Sequence, residues 1–186
     1  LAPLSETHRI IAYDYPGHGY TTHTTKDLEI QDYIDHLHDL LTALGIEAAH
    51  LSGESLGGWV ALKFAAQYPE MVLSLVLNTP GGTMAKPEVM EQIRSLSQAA
   101  ADDPSDDRIR TRLQWLMADN SSVTEELVQI RKGIYSRPGF ARGMSHILCL
   151  QKPDIRLRNL VTDEELAKIS APTLVVWTSH DPSGPA

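Results

Sequence analysis

Ser55 stands in Gly53-Glu54-Ser55-Leu56-Gly57, between a short apolar run from Ala49 to Leu51 and a helix-like stretch from Trp59 to Tyr68. A serine hydroxyl becomes a nucleophile when an adjacent base takes its proton and a third group holds that base in the right tautomer. Strand, sharp turn with serine at its tip, then helix is the context in which G-x-S-x-G reads as a nucleophile elbow. Such a turn is crowded and strained, so the flanking glycines are expected to be there for want of space. The helix that follows aims free backbone N–H groups at negative charge developing beside the serine.

Arg131 is a second candidate. It falls four residues after Leu127 and three before Ile134, on the apolar side of its helix. A guanidinium there needs an anionic partner, because an unpaired buried charge is costly. Snorkelling to solvent, or a salt bridge to a neighbouring carboxylate, would answer the same need. Trp115, Met117, Met144, Ile147 and Leu148 could line an apolar pocket, although each taken singly also suits helix packing.

The elements that must position these residues alternate. Arg9 to Tyr13 reads as a short buried strand closed by Asp14 and the Pro16-Gly17-His18-Gly19 turn. Ile30, Tyr33, Ile34, Leu37, Leu40, Leu41 and Leu44 follow helical spacing, and Gly45 supplies the stop. Ala49 to Leu51 is the strand that feeds Ser55, Trp59 to Tyr68 the helix behind it, and Val72 to Leu77 a further strand. This alternation implies a mostly parallel sheet with helices on both faces. From Pro80 the pattern turns wholly helical, with capping-box signatures at Ser122/Glu125 and Thr162/Glu165. Thr173 to Trp177 then restores a strand, with Asp181 in the turn after it. Three parts are therefore expected: a core over residues 1–80, a helical cap over 81–168, and a return to the core over 169–186. A cap inserted there sits over the carboxyl ends of the strands, where ligands bind.

Composition excludes several classes. The 186 residues suffice for one core plus a subdomain. A net charge of −8 with scattered Lys and Arg offers no basic stripe to neutralise phosphates, so nucleic acid is not an expected partner. No apolar run is long enough to span a membrane. Cys149 is the only cysteine, so no intrachain disulfide can form and secretion gains no support; the expectation is a cytoplasmic protein, compatible with a homo-oligomer.

D-Y-P-G-H-G at Asp14 to Gly19, G-E-S-L-G-G at Gly53 to Gly58, L-N-T-P-G-G at Leu77 to Gly82, the helical insertion and V-V-W-T-S-H-D-P at Val175 to Pro182 together resemble the α/β-hydrolase fold family with a helical cap. Within it, L-N-T-P-G-G and T-E-E-L-V-Q-I-R at Thr124 to Arg131 are most similar to the meta-cleavage product hydrolases, which cut C–C bonds in ring-fission products of aromatic degradation.

The resemblance implies a triad in the chain order nucleophile, acid, histidine. It puts Ser55 as nucleophile, Asp181 as acid and the backbone N–H of Leu56 as one oxyanion donor. Asp181 also reads as a plain turn residue before Pro182, while Asp154 and Asp163 lie in the cap. None of the eight histidines matches the family's position. His180 precedes Asp181 directly and should point away from it; His18 suits a structural or pocket-rim role; His36, His38 and His50 suit surface or core. The base and the second oxyanion donor, a His-Gly type loop, are therefore expected outside these 186 residues, leaving a stretch that looks like a fragment and is inactive alone.

The same resemblance gives Arg131 the carboxylate of a 2-hydroxy-6-oxo-dienoate, a small anionic ketone. Glu54 departs from the pattern, since many members carry an Asn there that hydrogen-bonds substrate, and an ionised carboxylate cannot donate. No metal or organic cofactor is expected, because the substrate supplies its own electron sink. Two rivals share these motifs: a carboxylesterase, and a non-enzymatic ligand-binding relative.

Overall fold

The computed structural model describes residues 2–182. Its centre is a parallel sheet of three strands among the described residues: β1 (Ala49–Glu54), β2 (Val72–Asn78) and β3 (Thr173–Val176), in the order β1-β2-β3. His50 pairs with Ser74 and Glu54 with Asn78; on the other side of β2, Leu75 pairs with Thr173 and Asn78 with Val176. The register leaves the carboxyl ends of all three strands level, so the turns that follow them open on one edge.

A short helix α1 (Ala2–Ser5) precedes α2 (Ile30–Ala43), whose apolar residues at helical spacing (Ile30, Tyr33, Ile34, Leu37 and Leu41) are all buried. Gly45 ends the helix at a left-handed φ of 65°, its N–H donating to the Thr42 carbonyl at 3.0 Å. Helix α3 (Leu56–Gln67) runs from the serine turn and packs against β1, β2 and α2. Trp59, Val60, Phe64 and Ala65 on it are at most 1% exposed, which explains why this helix is apolar nearly all round. Cys149, in the same core, has its thiol pushed up to about 11 by burial.

Arg9 to Tyr13 is not a strand, against the reading of its apolar run. Ile10 and Ile11 are 37% and 39% exposed. Apolar composition does not by itself make a strand, because the backbone donors and acceptors must find a ladder partner. Tyr13 packs through its ring instead, edge-on to Tyr15 at 5.2 Å and stacked on His36 at 5.7 Å.

Between β2 and β3 the chain is helical: α4 (Pro87–Asp102), α5 (Asp106–Leu116), α6 (Glu125–Tyr135), α7 (Phe140–Ile147), α8 (Pro153–Asn159) and α9 (Asp163–Leu166). These helices build two small cores of their own, one around Ala101, Phe140, Met144 and Leu148, the other around Ile109, Leu113, Val123 and Val128. Helix α6 is capped by the Thr124 hydroxyl, which accepts from the Leu127 N–H at 3.2 Å. The Ser122/Glu125 box therefore does not form: the helix begins at Glu125, and Ser122 lies in the 3-10 turn before it. The Thr162/Glu165 box does form, at the start of α9.

Three contacts tie the end of the helical segment to α3 and to the loop after β2. The Trp59 indole donates to the Asn159 carbonyl at 3.0 Å, Lys63 pairs with Glu165 at 2.9 Å, and the Val161 N–H donates to the Gly82 carbonyl at 2.9 Å. Among the described residues no helix is long and apolar enough to cross a membrane.

Candidate active site

Ser55 sits between the last residue of β1 and the first of α3 with φ 50° and ψ −110°. A serine in that region is strained, and such strain persists only where the surroundings hold it. Three backbone hydrogen bonds do so. The Ser55 N–H donates to the Asn78 carbonyl at 3.2 Å, and the Ser55 carbonyl accepts from Trp59 at 3.0 Å and Gly81 at 2.8 Å.

The glycines around it have unequal reasons. A Cβ on Gly53 would lie 2.3 Å from the Gly57 carbonyl carbon and oxygen, so that position admits no side chain. On Gly58 it would lie 2.8 Å from the Pro80 Cβ. At Gly57 a Cβ would meet nothing within 4 Å, which corrects the expectation that both flanking glycines are needed for space. In the facing loop, Gly82 at φ 82° presses on the Trp59 indole, where a Cβ would come within 2.2 Å. G-x-S-x-G-G and L-N-T-P-G-G are thus one packed unit, with the second motif bracing the first.

A cavity of about 520 Å³ opens beside this unit. Its wall includes Glu54, Ser55 and Leu56 from the turn, Arg131 from α6, and His180 and Asp181 from the turn after β3. All four residues singled out from sequence, Ser55, Leu56, Arg131 and Asp181, therefore border one space. Leu56 is the first residue of the 12-residue α3, where backbone N–H groups lack intrahelical acceptors. The Asp181 N–H closes a turn onto the Thr178 carbonyl at 3.4 Å. Trp115, Met117, Ile147 and Leu148 line the cavity too, whereas Met144 is in the small core around Phe140.

No histidine is hydrogen-bonded to the Ser55 hydroxyl among the described residues. His180 meets the Ser179 hydroxyl at 2.9 Å, His50 meets Ser74 at 2.8 Å, and His146 meets Asp27 at 2.8 Å. His18 is structural: it meets the Pro16 carbonyl at 3.2 Å, lies edge-on to Tyr15 and Tyr33, and burial depresses its pKa.

Arg131 is exposed, which corrects the expectation of a guanidinium on a buried face, since Val128 alone is buried on α6; among the described residues no carboxylate pairs with it. The flanking candidates are committed elsewhere: Glu125 to Arg110 at 2.5 Å, and Asp106 to Lys132 at 2.7 Å. Beside Arg131, in a recess of about 120 Å³ that both share with Tyr135, stands Arg112. Its Nε donates to the Ser97 hydroxyl at 2.9 Å and its guanidinium lies 5.1 Å from the Trp115 ring centre. Its Nη1 is buried with no hydrogen-bond partner among the described residues. Burial first, and the nearby Arg131 charge as well, push the Arg112 pKa down. Two guanidinium groups border this one recess, and neither has a carboxylate partner among the described residues.

Arg112 was not singled out from sequence, though a signal existed: it follows Ile109 by three residues and so shares that residue's helix face. Arg156, on α8, is a third cationic part of the cavity wall. It follows buried Ile155 with no periodic cue, and only tertiary packing turns it inward. No group of His, Cys, Asp and Glu that could hold a metal ion occurs among the described residues.

Comparison with known proteins agrees with this geometry. The chain is 34% identical over 180 residues to a 2-hydroxy-6-oxo-6-phenylhexa-2,4-dienoate hydrolase of Comamonas testosteroni, covering 94% of this chain and 61% of that protein. It is 33% identical over 180 residues to a 2-hydroxy-6-oxononadienedioate/2-hydroxy-6-oxononatrienedioate hydrolase of the same species, with the same coverage. Among solved structures, a meta-cleavage product hydrolase from Pseudomonas fluorescens IP01 superposes with a TM-score of 0.83 at 28% identity, over 99% of this chain and 66% of that one. The chain thus spans 61% of the length of these curated relatives. The family model described as alpha/beta hydrolase fold matches residues 1–186, and the chain belongs to that family.

Proposed function

We propose that the full-length protein is a serine-dependent hydrolase that cleaves a C–C bond in 2-hydroxy-6-oxo-dienoates, small anionic ketones formed by aromatic ring fission. The observation that carries this reading is the shared cavity, with a strained serine on the sheet side and, on the helices facing it, two arginines, Arg112 and Arg131, that have no carboxylate partner among the described residues. An ester substrate would make use of the serine alone. A carboxylate-bearing substrate makes use of both sides. The names of the relatives point the same way.

On this reading the helical stretch 81–168 is a cap that closes over a core formed by 1–80 and 169–186. Arg131, helped by Arg112, holds the dienoate carboxylate. The dienol takes a proton at C5 and becomes a ketone at C2, which creates an electron sink. Ser55, or a water that it orients, adds to the C6 ketone, with the charge on oxygen received by the Leu56 N–H. The C5–C6 bond then breaks, its electron pair flowing into the sink. Water supplies the oxygen of the acid product, and the other fragment leaves as a 2-hydroxydienoate. Asp181 orients the histidine that takes and returns the proton. The step as written calls for no metal or organic cofactor.

The test uses full-length protein with a coloured ring-fission product and with p-nitrophenyl acetate. Loss of the dienoate colour, abolished in Ser55→Ala, is expected. Ester turnover with the dienoate left intact would refute the C–C assignment.

A further inference from the structure

Arg156 is the most deeply placed charge in the cavity wall, only 6% exposed. Lys63, by contrast, is paired with Glu165 across α3 and α9 at 2.9 Å. Arg156 has no carboxylate partner among the described residues. Its Nε donates to the Met84 carbonyl at 3.1 Å, and its guanidinium lies over the Trp59 ring at 4.5 Å. That uses one of five N–H donors and one face of the plane. Burial pushes the group down to about 10, so it stays charged at neutral pH. A desolvated cation with spare donors facing a cavity is costly unless an anion completes it.

Arg156 is also apart from the other arginines. Arg112 and Arg131 share a recess between α5 and α6 that Arg156 does not border. Arg156 instead rests on Trp59, one helical turn beyond Ser55, and on the loop that follows β2. The cavity therefore has two cationic poles on different walls, and a substrate with one carboxylate satisfies only one of them.

We propose that Arg156 is a second anion subsite, which receives a carboxylate on the substituent attached to the reacting ketone and so selects dicarboxylate substrates. This rests on the assignment of the dienoate carboxylate to Arg131. The guanidinium's seat fixes its orientation: the Met84 carbonyl and the Trp59 face hold the Nε edge and one side, leaving the outer nitrogens for a bidentate acceptor.

The test separates binding from turnover. Full-length protein carrying Ser55→Ala is titrated calorimetrically with two 2-hydroxy-6-oxo-dienoates, one with a tail ending in carboxylate and one with a phenyl tail. The carboxylate-tailed compound is expected to bind tighter by about tenfold to a hundredfold, the range of a charged hydrogen bond. Adding Arg156→Met should erase that difference, while Arg156→Lys, which keeps the charge, should retain part of it. Equal affinities for the two compounds would overturn the proposal, as would a preference that survives Arg156→Met in a folded variant. Binding of neither compound would overturn it together with the reading it rests on. A tail preference that depends on Arg156, in a protein whose wild type cleaves neither compound, would uphold the subsite and refute the C–C hydrolase.

Discussion

The two sides of the cavity are built by different means. On the sheet side, the proposed function rests on backbone: Ser55 is aimed by its own dihedral angles, by a hydrogen bond to the Asn78 carbonyl and others from the Trp59 and Gly81 N–H groups, and by a glycine that cannot carry a side chain. On the helical side, the proposed function rests on side chains: Arg112, Arg131 and Arg156 sit on ordinary helices, Arg112 held by a serine hydroxyl and an aromatic face, Arg156 by a carbonyl and an aromatic face. The difference teaches where each kind of change is tolerated. A backbone-built wall fails as a unit when its closest contact is altered, whereas a side-chain-built wall can be retuned one residue at a time.

Mutations on each side can break or sharpen that contrast. The largest effect should come from Ser55→Ala, which removes the proposed nucleophile and should lower kcat by a factor on the order of 10⁴ or more in the full-length protein, with little change in unfolding midpoint. A drop of only severalfold would mean that the serine side is not the reacting side. Next is Gly53→Ala. Its Cβ would drive into the Gly57 carbonyl, so denaturant unfolding should show a loss of about 2–3 kcal/mol, with activity falling alongside. Arg131→Met should weaken dienoate binding by about tenfold to a hundredfold and Arg112→Met by less, both with melting temperature held. If either arginine change unfolds the protein, the helical side is no more separable than the sheet side. The smallest effect belongs to Gly57→Ala. With open space at that Cβ and a position in the first turn of α3, it should gain roughly 0.5–1 kcal/mol in the same denaturant experiment.

The same contrast accounts for what could be read in advance. Gly, Ser and Pro at fixed offsets encode backbone shape, so the turn at Ser55, the helix behind it and the turn at Asp181 are legible from residue types alone. Periodicity likewise locates α2 and α4 through α7. Legibility ends where an outcome depends on a neighbour distant in sequence. Arg9 to Tyr13 has the composition of a strand but not the ladder. The cap of α6 is missed for a local reason instead: two nearby hydroxyls compete, and that of Thr124, not Ser122, accepts from the Leu127 N–H. Helical spacing says that Arg131 and Arg112 share faces with apolar residues, yet not that the two meet. Arg156 lacks even that cue, since its burial comes from Trp59 and Met84, both far away along the chain.

Ser55 is not alone in its strain. Thr79, just past the end of β2, also has a positive φ, of 40°, which is unusual for a β-branched residue, and its N–H donates to the Val176 carbonyl at 2.8 Å. The Ser55 N–H in turn hangs on Asn78, the residue before Thr79. The strained serine is thus moored through a strained threonine to the third strand. Such a mooring resembles a latch under tension: loosening β3 is expected to let Thr79 relax, and that relaxation to reach Ser55 while the helices still stand. Warming should therefore silence the chemistry ahead of the fold, with turnover fading while the far-ultraviolet helical signal is still intact.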